Sequence, residues 1–476
     1  MILGYTEPMN SSTANVVIDP QTIARFDING PRYTSYPTAD RFADAFTAER
    51  CRHWLGERGA AAGGQPLSLY FHIPFCNTIC YYCACNKIIT KDHGRSAKYL
   101  KYLARELDLQ SSCLAGADKG LPEVAQVHWG GGTPTFLSHD EMSQLMTATR
   151  RHFRLVDDGE YSIEVDPRKV DRATVALLGE LGFNRMSIGV QDFDESVQQA
   201  VNRIQSEAET IAVIDAARDH GFKSISIDLI YGLPRQTVKG FTRTLDRVIA
   251  ASPERLSIYN YAHLPSLFKP QRRILESEMP APAARLQILA MAIAKLTDAG
   301  YVYIGMDHFA KPGDELALAQ REGRLHRNFQ GYSTHADCDM LSFGISAISK
   351  VGPIYCQNVK TLDEYYDHLD RGVLPVYRGI ELDADDILRR AVIQSLMCHF
   401  ALSFASVEAA HGIEFSAYFA AELEALREMV AAGLLSVDAE GIIVLPPGRL
   451  LVRAISMVFD KHLRADRENK RYSKVI

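Results

Sequence analysis

The run Leu67-Ser68-Leu69-Tyr70-Phe71-His72-Ile73-Pro74-Phe75-Cys76-Asn77-Thr78-Ile79-Cys80-Tyr81-Tyr82-Cys83-Ala84-Cys85 leads from a strand straight into a knot of thiols. Residues 67–73 are almost all aliphatic or aromatic, the composition of a buried strand. Pro74 has no backbone N–H to give to a ladder and ends it. Beyond it Cys76, Cys80 and Cys83 stand in C-x3-C-x2-C spacing, with Cys85 two residues further on. A strand whose carboxyl end opens onto a reactive loop is characteristic of parallel α/β folds, which gather their chemistry at that end.

Outward from this run the same unit repeats. Strand-like segments are predicted at Val124–Trp129, Tyr161–Val165, Arg185–Val190, Ser224–Ile230, Arg255–Tyr261 and Tyr301–Met306. Between them lie amphipathic helical patterns at Ala97–Leu109, Asp140–Phe153, Asp171–Leu181, Ser206–His220, Thr237–Ala251 and Ala284–Ala299. This alternation predicts βα units wound into a parallel sheet. Six or seven such units suit a partial, open (βα)6-type barrel at residues 67–375. Residues 1–66 read as an N-terminal extension, with a turn-rich stretch at 29–38, a helix near Phe46–Arg58 and a closing Gly63-Gly64. Residues 1–20 carry no pattern that predicts an element. Residues 376–476 read as a mainly helical C-terminal domain with helices at Asp385–Cys398 and Phe415–Ala432. A ribbon at Leu434–Val444 and a last helix from Pro447 complete a winged-helix-like order.

Composition narrows the classes. Hydrophobic residues at 47% and charged residues at 23% are those of a globular protein. A net charge of −6 gives no global attraction for nucleic acid or an anionic membrane, so an anionic ligand must be held by local Arg and Lys. No basic stretch followed by an apolar run opens the chain, the most apolar helical stretch (286–296) is too short to span a bilayer, and residues 471–476 are no lipidation signal. A cytoplasmic protein is expected, and the small charge with no evident coiled coil suits a monomer. Of nine cysteines, Cys51, Cys113, Cys338, Cys356 and Cys398 are scattered and read as small buried residues. The four clustered ones read as metal ligands.

Three thiolates on one loop suit a [4Fe–4S] cluster, leaving its fourth iron open to a small molecule. Tetrahedral zinc on all four cysteines is the alternative, though the spacing lacks paired C-x2-C knuckles. Cys85 as a ligand would close the open iron, so it is expected beside the cluster without binding it. Further signals follow the other strands. The bare amides of Gly130-Gly131-Gly132-Thr133 can approach a ligand closely. Glu164 and Asp228 put carboxylates into apolar strands, which is costly unless each binds something. A turn, a strand-end salt bridge, a solvated arginine at 203 and core packing of Tyr70, Tyr82, Ala262 and Ile348 are the plain alternatives.

Tyr70-Phe71-His72-Ile73-Pro74-Phe75-Cys76, continued to Cys83-Ala84-Cys85-Asn86-Lys87, resembles the oxygen-independent coproporphyrinogen III oxidases, radical S-adenosylmethionine enzymes. The likeness runs from Pro31–Thr38 to the C-terminus. It implies a cluster on Cys76, Cys80 and Cys83 and two molecules of S-adenosylmethionine. It carries cofactor contacts to Tyr70, Tyr82, Gly131, Gly132, Thr133, Glu164, Gln191, Arg203, Asp228, Ala262 and Ile348. The reaction implied turns two propionates of coproporphyrinogen III into vinyls through a 5′-deoxyadenosyl radical, giving protoporphyrinogen IX, with an electron donor and acceptor as partners. A heme chaperone of the same fold is the alternative. Its pattern usually has Phe at the position of Cys85 and lacks the Pro31–Thr38 segment. Pro31–Thr38 and the polar–aromatic loop His326–Tyr332 are expected on the substrate side. There Arg32, Arg327 and Gln330 are the candidates for the substrate side, where guanidinium–carboxylate pairs and flat aromatic contacts would clamp the ring, and Cys85 is a catalytic or substrate-side candidate.

Overall fold

In the computed structural model, residues 16–61, 65–114, 120–335, 338–465 and 474 are described. Residues 1–15, Gly63-Gly64 and all of residues 471–476 but Lys474 lie outside them.

Six parallel strands form the centre of the sheet: β1 (Leu67–Ile73), β2 (Glu123–Gly131), β3 (Arg154–Val165), β4 (Arg185–Gln191), β5 (Ser224–Tyr231) and β6 (Arg255–Asn260). Each pairs with the next in parallel. Helices α1 (Gly94–Leu114), α2 (His139–His152), α3 (Arg172–Glu180), α4 (Glu207–Asp219), α5 (Val238–Ala251) and α6 (Pro282–Asp298) lie where the periodicity puts them. Side-chain caps explain several sharp starts. Ser138 with Glu141 and Ser206 with Glu209 form reciprocal capping boxes at α2 and α4, and Asp171 and Thr237 cap α3 and α5.

Strand alternation sorts the two faces. Ile163, Ile188, Ile227 and Ile258 are buried to 1% exposure or less. Their neighbours Ser162, Ser187, Ser226 and Ser257 line a polar lumen together with Glu164 and Asp228. Those strands read as apolar in sequence, yet one face of them is built for polar contacts.

The seventh strand differs from expectation. Strands β7 (Val302–Gly305) and β8 (His308–Ala310) form a hairpin, and β8, not β7, pairs with β6, antiparallel. Positive φ at Gly305 (142°) and Met306 (53°) reverses the chain there. His326–Tyr332 is no open loop. It is a second hairpin, β9 (His326–Asn328) and β10 (Gly331–Ser333), turning at Phe329-Gln330. On the other side, β1 pairs in parallel with β11 (Asp339–Phe343). Antiparallel β12 (Ile348–Val351), β13 (Ile354–Asn358) and β14 (Val376–Glu381) follow, so the sheet has twelve strands and runs past residue 375.

Helix α7 (Ala384–His399) opens the C-terminal region. The expected helix Phe415–Ala432 is two helices, Phe415–Tyr418 and Ala420–Ala431. The ribbon Leu435–Val437 and Gly441–Val444 gains a third strand, Ala401–Ser403. The Pro31–Thr38 segment is strapped to this region. Tyr33 Oη donates to Asp460 Oδ2 at 2.9 Å, the Lys461 N–H donates to Tyr36 Oη at 3.2 Å, and Arg453 donates to the carbonyls of Gly30 and Pro31. Both tyrosines are buried. Cys51, Cys356 and Cys398 are buried, and Cys113 and Cys338 are half-buried. Among the described residues no helix is long and apolar enough to cross a membrane.

Candidate active site

The cysteine loop is held from several sides. Phe75–Cys76 pairs in parallel with Ile88–Ile89, so the two ends of the loop stay together. Asn202 Nδ2 donates to the Ile79 carbonyl (2.7 Å), and the Tyr81 N–H donates to the Val201 carbonyl (2.9 Å). Gln271 Nε2 ties the carbonyls of Tyr82 (3.0 Å) and Ala262 (3.2 Å) together. Lys87 Nζ donates to the Cys83 carbonyl at 2.9 Å.

The loop walls a cavity of about 180 Å³ at the carboxyl ends of the strands. Into it converge Cys76, Cys80, Cys83 and Cys85, with Tyr82, Gly131, Gly132, Thr133, Glu164, Gln191, Arg203 and Asp228. Gln191 reaches it through a register shift between β4 and β5 and a left-handed backbone, φ 70°. Such a conformation costs a non-glycine residue about 1–3 kcal/mol and is found where the site needs the side chain re-aimed. Gly131 and Gly132 are obligatory. A Cβ on Gly132 would stand 2.7 Å from the Pro74 carbonyl, and Gly131 holds a φ of 112° that side chains rarely adopt.

Other candidates lie elsewhere. Ala262 shares with Tyr82 and Arg32 a neighbouring cavity of about 270 Å³. Tyr70 lies one layer back, its ring stacked on His128 (5.8 Å) and its hydroxyl 3.1 Å from His72 Nδ1. Ile348 joins neither cavity; it packs with Phe42 and Tyr355. Gln330 lines the lumen, which shares Glu164 and Asp228 with the cysteine cavity. Arg32 pairs with Asp307 and lies over the Tyr259 ring (5.9 Å); Arg327 Nε donates to the Arg32 carbonyl at 3.4 Å. Asp166 and Arg168 were not singled out in sequence, although they directly follow the strand that bears Glu164. Arg168 Nη2 is 3.9 Å and Arg203 Nη1 3.7 Å from Cys80 Sγ, and both arginines pair with Asp166.

The electrostatics divide the thiols, favouring the thiolate at Cys83 and the neutral thiol at Cys76 and Cys85. Thr133 Oγ1 donates to Cys76 Sγ at 3.4 Å, while burial pushes that thiol up to about 11. The hydrogen bond with Cys85, aided by Lys87, brings Cys83 down to about 6 and drives Cys85 upward. Burial pushes Glu164 up, but bonds from His128 Nε2 (3.4 Å) and the Gly131 N–H (3.1 Å) more than offset it and hold it below the usual glutamate value. Burial raises Asp228 to about 6, although Ser187 Oγ donates to it at 2.7 Å.

Among the described residues no three or more His, Cys, Asp or Glu gather into a single-ion site. The thiols line a cavity instead, beside bare amides, two carboxylates and Arg203, whose buried Nε has no hydrogen-bond partner among the described residues. Soft thiol donors fit an iron–sulfur cluster. The amides, carboxylates and orphaned guanidinium nitrogen fit the carboxylate, ammonium and hydroxyls of an aminoacyl nucleoside.

The Radical SAM superfamily profile matches residues 70–248, and the HemN C-terminal domain profile residues 382–451. An oxygen-independent coproporphyrinogen III oxidase of Pseudomonas aeruginosa is 52% identical over 460 residues, covering 96% of this chain and 98% of its own length. That of Escherichia coli K12 is 47% identical over 458 residues, with the same coverage of 96% and 98%. The chain belongs to the oxygen-independent coproporphyrinogen III oxidase family. The solved structure of the E. coli coproporphyrinogen III oxidase, a radical SAM enzyme, superposes with a TM-score of 0.89 at 46% identity, covering 94% of this chain and all of that one (100%). Membership in this oxidase family brings a [4Fe–4S] cluster and S-adenosylmethionine as cofactors.

Proposed function

We propose that this chain catalyses the oxygen-independent oxidative decarboxylation of two propionates of coproporphyrinogen III to vinyls, yielding protoporphyrinogen IX for heme. The observation that carries this reading is the thiol-lined cavity opening onto a polar lumen, in a chain 52% identical to such an oxidase along nearly its whole length. When bound, the cluster with S-adenosylmethionine supplies one-electron, hydrogen-abstracting chemistry that no amino-acid side chain offers.

The residues divide the remaining work. Cys76, Cys80 and Cys83 would hold the cluster, and Cys85 stands next to Cys83 without ligating. Arg168 and Arg203, close to Cys80 Sγ, offset the negative charge of the thiolates. Gly131, Gly132 and Thr133 present backbone to the methionine end of S-adenosylmethionine, and Glu164, Gln191, Arg203 and Asp228 hold its polar groups. The adjoining cavity, with Tyr82 and Ala262 in its wall, is room for a second molecule, in keeping with two propionates processed per product. Tyr70 acts from behind the site, through His72 and His128. Arg32, Arg327 and Gln330 face the substrate.

The chain works as a monomer in the cytoplasm, where reducing conditions keep nine thiols free. It meets a small or protein electron donor and an acceptor, and no nucleic acid. The test is anaerobic. With iron and sulfide restored, S-adenosylmethionine, reductant, an electron acceptor and coproporphyrinogen III should give a product lighter by two carbon dioxide units and four hydrogens, with 5′-deoxyadenosine formed. Heme handed on to an acceptor protein without any vinyl product would overturn the reading in favour of a chaperone.

A further inference from the structure

A cavity of about 380 Å³ lies where hairpin β9–β10, strands β11 to β13 and helix α7 meet. Its size falls within the range of small-molecule sites, about 300–1,000 Å³. Ile387, Arg390, Ala391 and Gln394 recur at helical spacing and present one face of α7 to it. Arg327 and Lys350 face them, and no Asp or Glu is among its lining residues. Lys350 is paired with Asp339 at 3.1 Å. The two arginines are different. Arg327 is 3% exposed, and its Nη1, like Arg390 Nη1, is buried without a hydrogen-bond partner among the described residues. Buried guanidinium nitrogens left unpaired are costly unless a ligand completes them. The neighbourhood is electropositive: burial first, then Lys350 and Arg390, press the His326 imidazole down to about 3.

The cavity also has a flat wall and a common partition with the lumen. Phe329 and Tyr355 meet edge to face at 6.0 Å. The Arg327 guanidinium lies 4.8 Å from the centre of the Tyr332 ring, which lines the lumen, and Gln330 Nε2 contacts Met340 Sδ at 3.5 Å across the same partition. Gln394 Nε2 donates to the Arg327 carbonyl at 3.1 Å, fixing the hairpin to the helix.

We propose that this cavity is a carboxylate subsite, in which Arg390 and Arg327 grip a propionate-bearing edge of the tetrapyrrole that is not reacting. The inference rests on the coproporphyrinogen reading above and adds to it a site shared between the hairpin and the C-terminal region. It makes the charge of the two propionates that do not react the property that is read, since each fork-to-carboxylate pair adds a charge-assisted bond.

The test uses the holoenzyme, titrated with two stable porphyrins by fluorescence quenching. Protoporphyrin IX keeps the two propionates that do not react, and its dimethyl ester has lost their charge. Wild-type protein should bind the first at least tenfold more tightly. Arg390→Met, which keeps the apolar stem, should abolish that preference, and Arg390→Lys should restore part of it. Arg390→Gln is a second neutral variant, and a thermal melt of each checks folding. A preference that survives both neutral substitutions overturns the subsite, as does an equal loss for both porphyrins. Wild-type protein that binds neither porphyrin overturns the substrate reading itself and the subsite with it.

Discussion

The two ends of the barrel's chemistry are built in opposite ways. At the cysteine end, four thiols fall within ten residues, and the groups facing them end strands β2 to β5. At the proposed substrate end, Arg32, Asp307, Arg327 and Arg390 come from four segments that meet only when the N-terminal strap, the β7–β8 turn, the β9–β10 hairpin and α7 pack together. The first arrangement is fixed by local geometry, because a parallel strand delivers its next residues to one edge of the sheet. The second depends on long-range packing. The cysteine end should therefore respond to substitution through chemistry, and the substrate end through affinity and stability.

The sharpest break comes at Cys80, the most buried of the three proposed ligands. Cys80→Ser should lose the cluster's visible absorbance and lower turnover by about 10⁴-fold or more, as when a group the reaction cannot do without is removed. A variant that keeps both would show that the thiols are not the cluster's ligands. Next is Glu164→Gln, which preserves shape but not charge. Charge-assisted hydrogen bonds are worth about 1.5–3 kcal/mol, so KM for S-adenosylmethionine should rise about 10–100-fold. An unchanged KM would assign Glu164 to holding His128 and Gly131 alone.

How much could be seen in advance follows the same division. Strands β1 to β6 and helices α2 to α6 lie within a few residues of the periodic pattern, except that β3 begins seven residues earlier, at Arg154. Their burial alternates along one element, so the signal is local. Strands β8 to β14 were not legible: they are three to six residues long and stabilised by neighbours distant in sequence. Ile348 shows the limit on the site. It sits on one of those short strands, and the sheet carries it to the Phe42–Tyr355 cluster, away from the cysteine cavity. Arg390 shows the reverse. In sequence it is one more arginine of an amphipathic helix, and only the facing hairpin makes it a candidate.

Asp228 offers a pH measurement on the cysteine side. Its carboxyl titrates near 6 in the folded protein against 3.8 ordinarily. The folded state therefore holds this proton more tightly than the unfolded chain. Its contribution is full below the ordinary value and is lost as pH rises through about 6, amounting to about 2 kcal/mol once screening at the cavity is allowed for. Asp228→Asn should remove that loss, so its stability advantage over wild type in cofactor-free denaturant unfolding grows across this window. A gap independent of pH would show that the carboxyl is not the group titrating.

The smallest effect is expected at the strap, and it probes the substrate side alone. Tyr33 is 3% exposed, and its hydroxyl reaches Asp460 across the interface between the N-terminal segment and the C-terminal region. Tyr33→Phe keeps the ring and deletes one hydrogen bond, costing about 1–1.5 kcal/mol. Arg32 is the neighbouring residue, so a loosened strap should also raise KM for coproporphyrinogen III a few-fold while leaving cluster absorbance and KM for S-adenosylmethionine where they were. A lower melting temperature with that one-sided change in KM would tie the strap to the substrate. Equal changes in both KM values would instead mean that the two ends of the barrel are coupled through the lumen, where Glu164 and Asp228 face both.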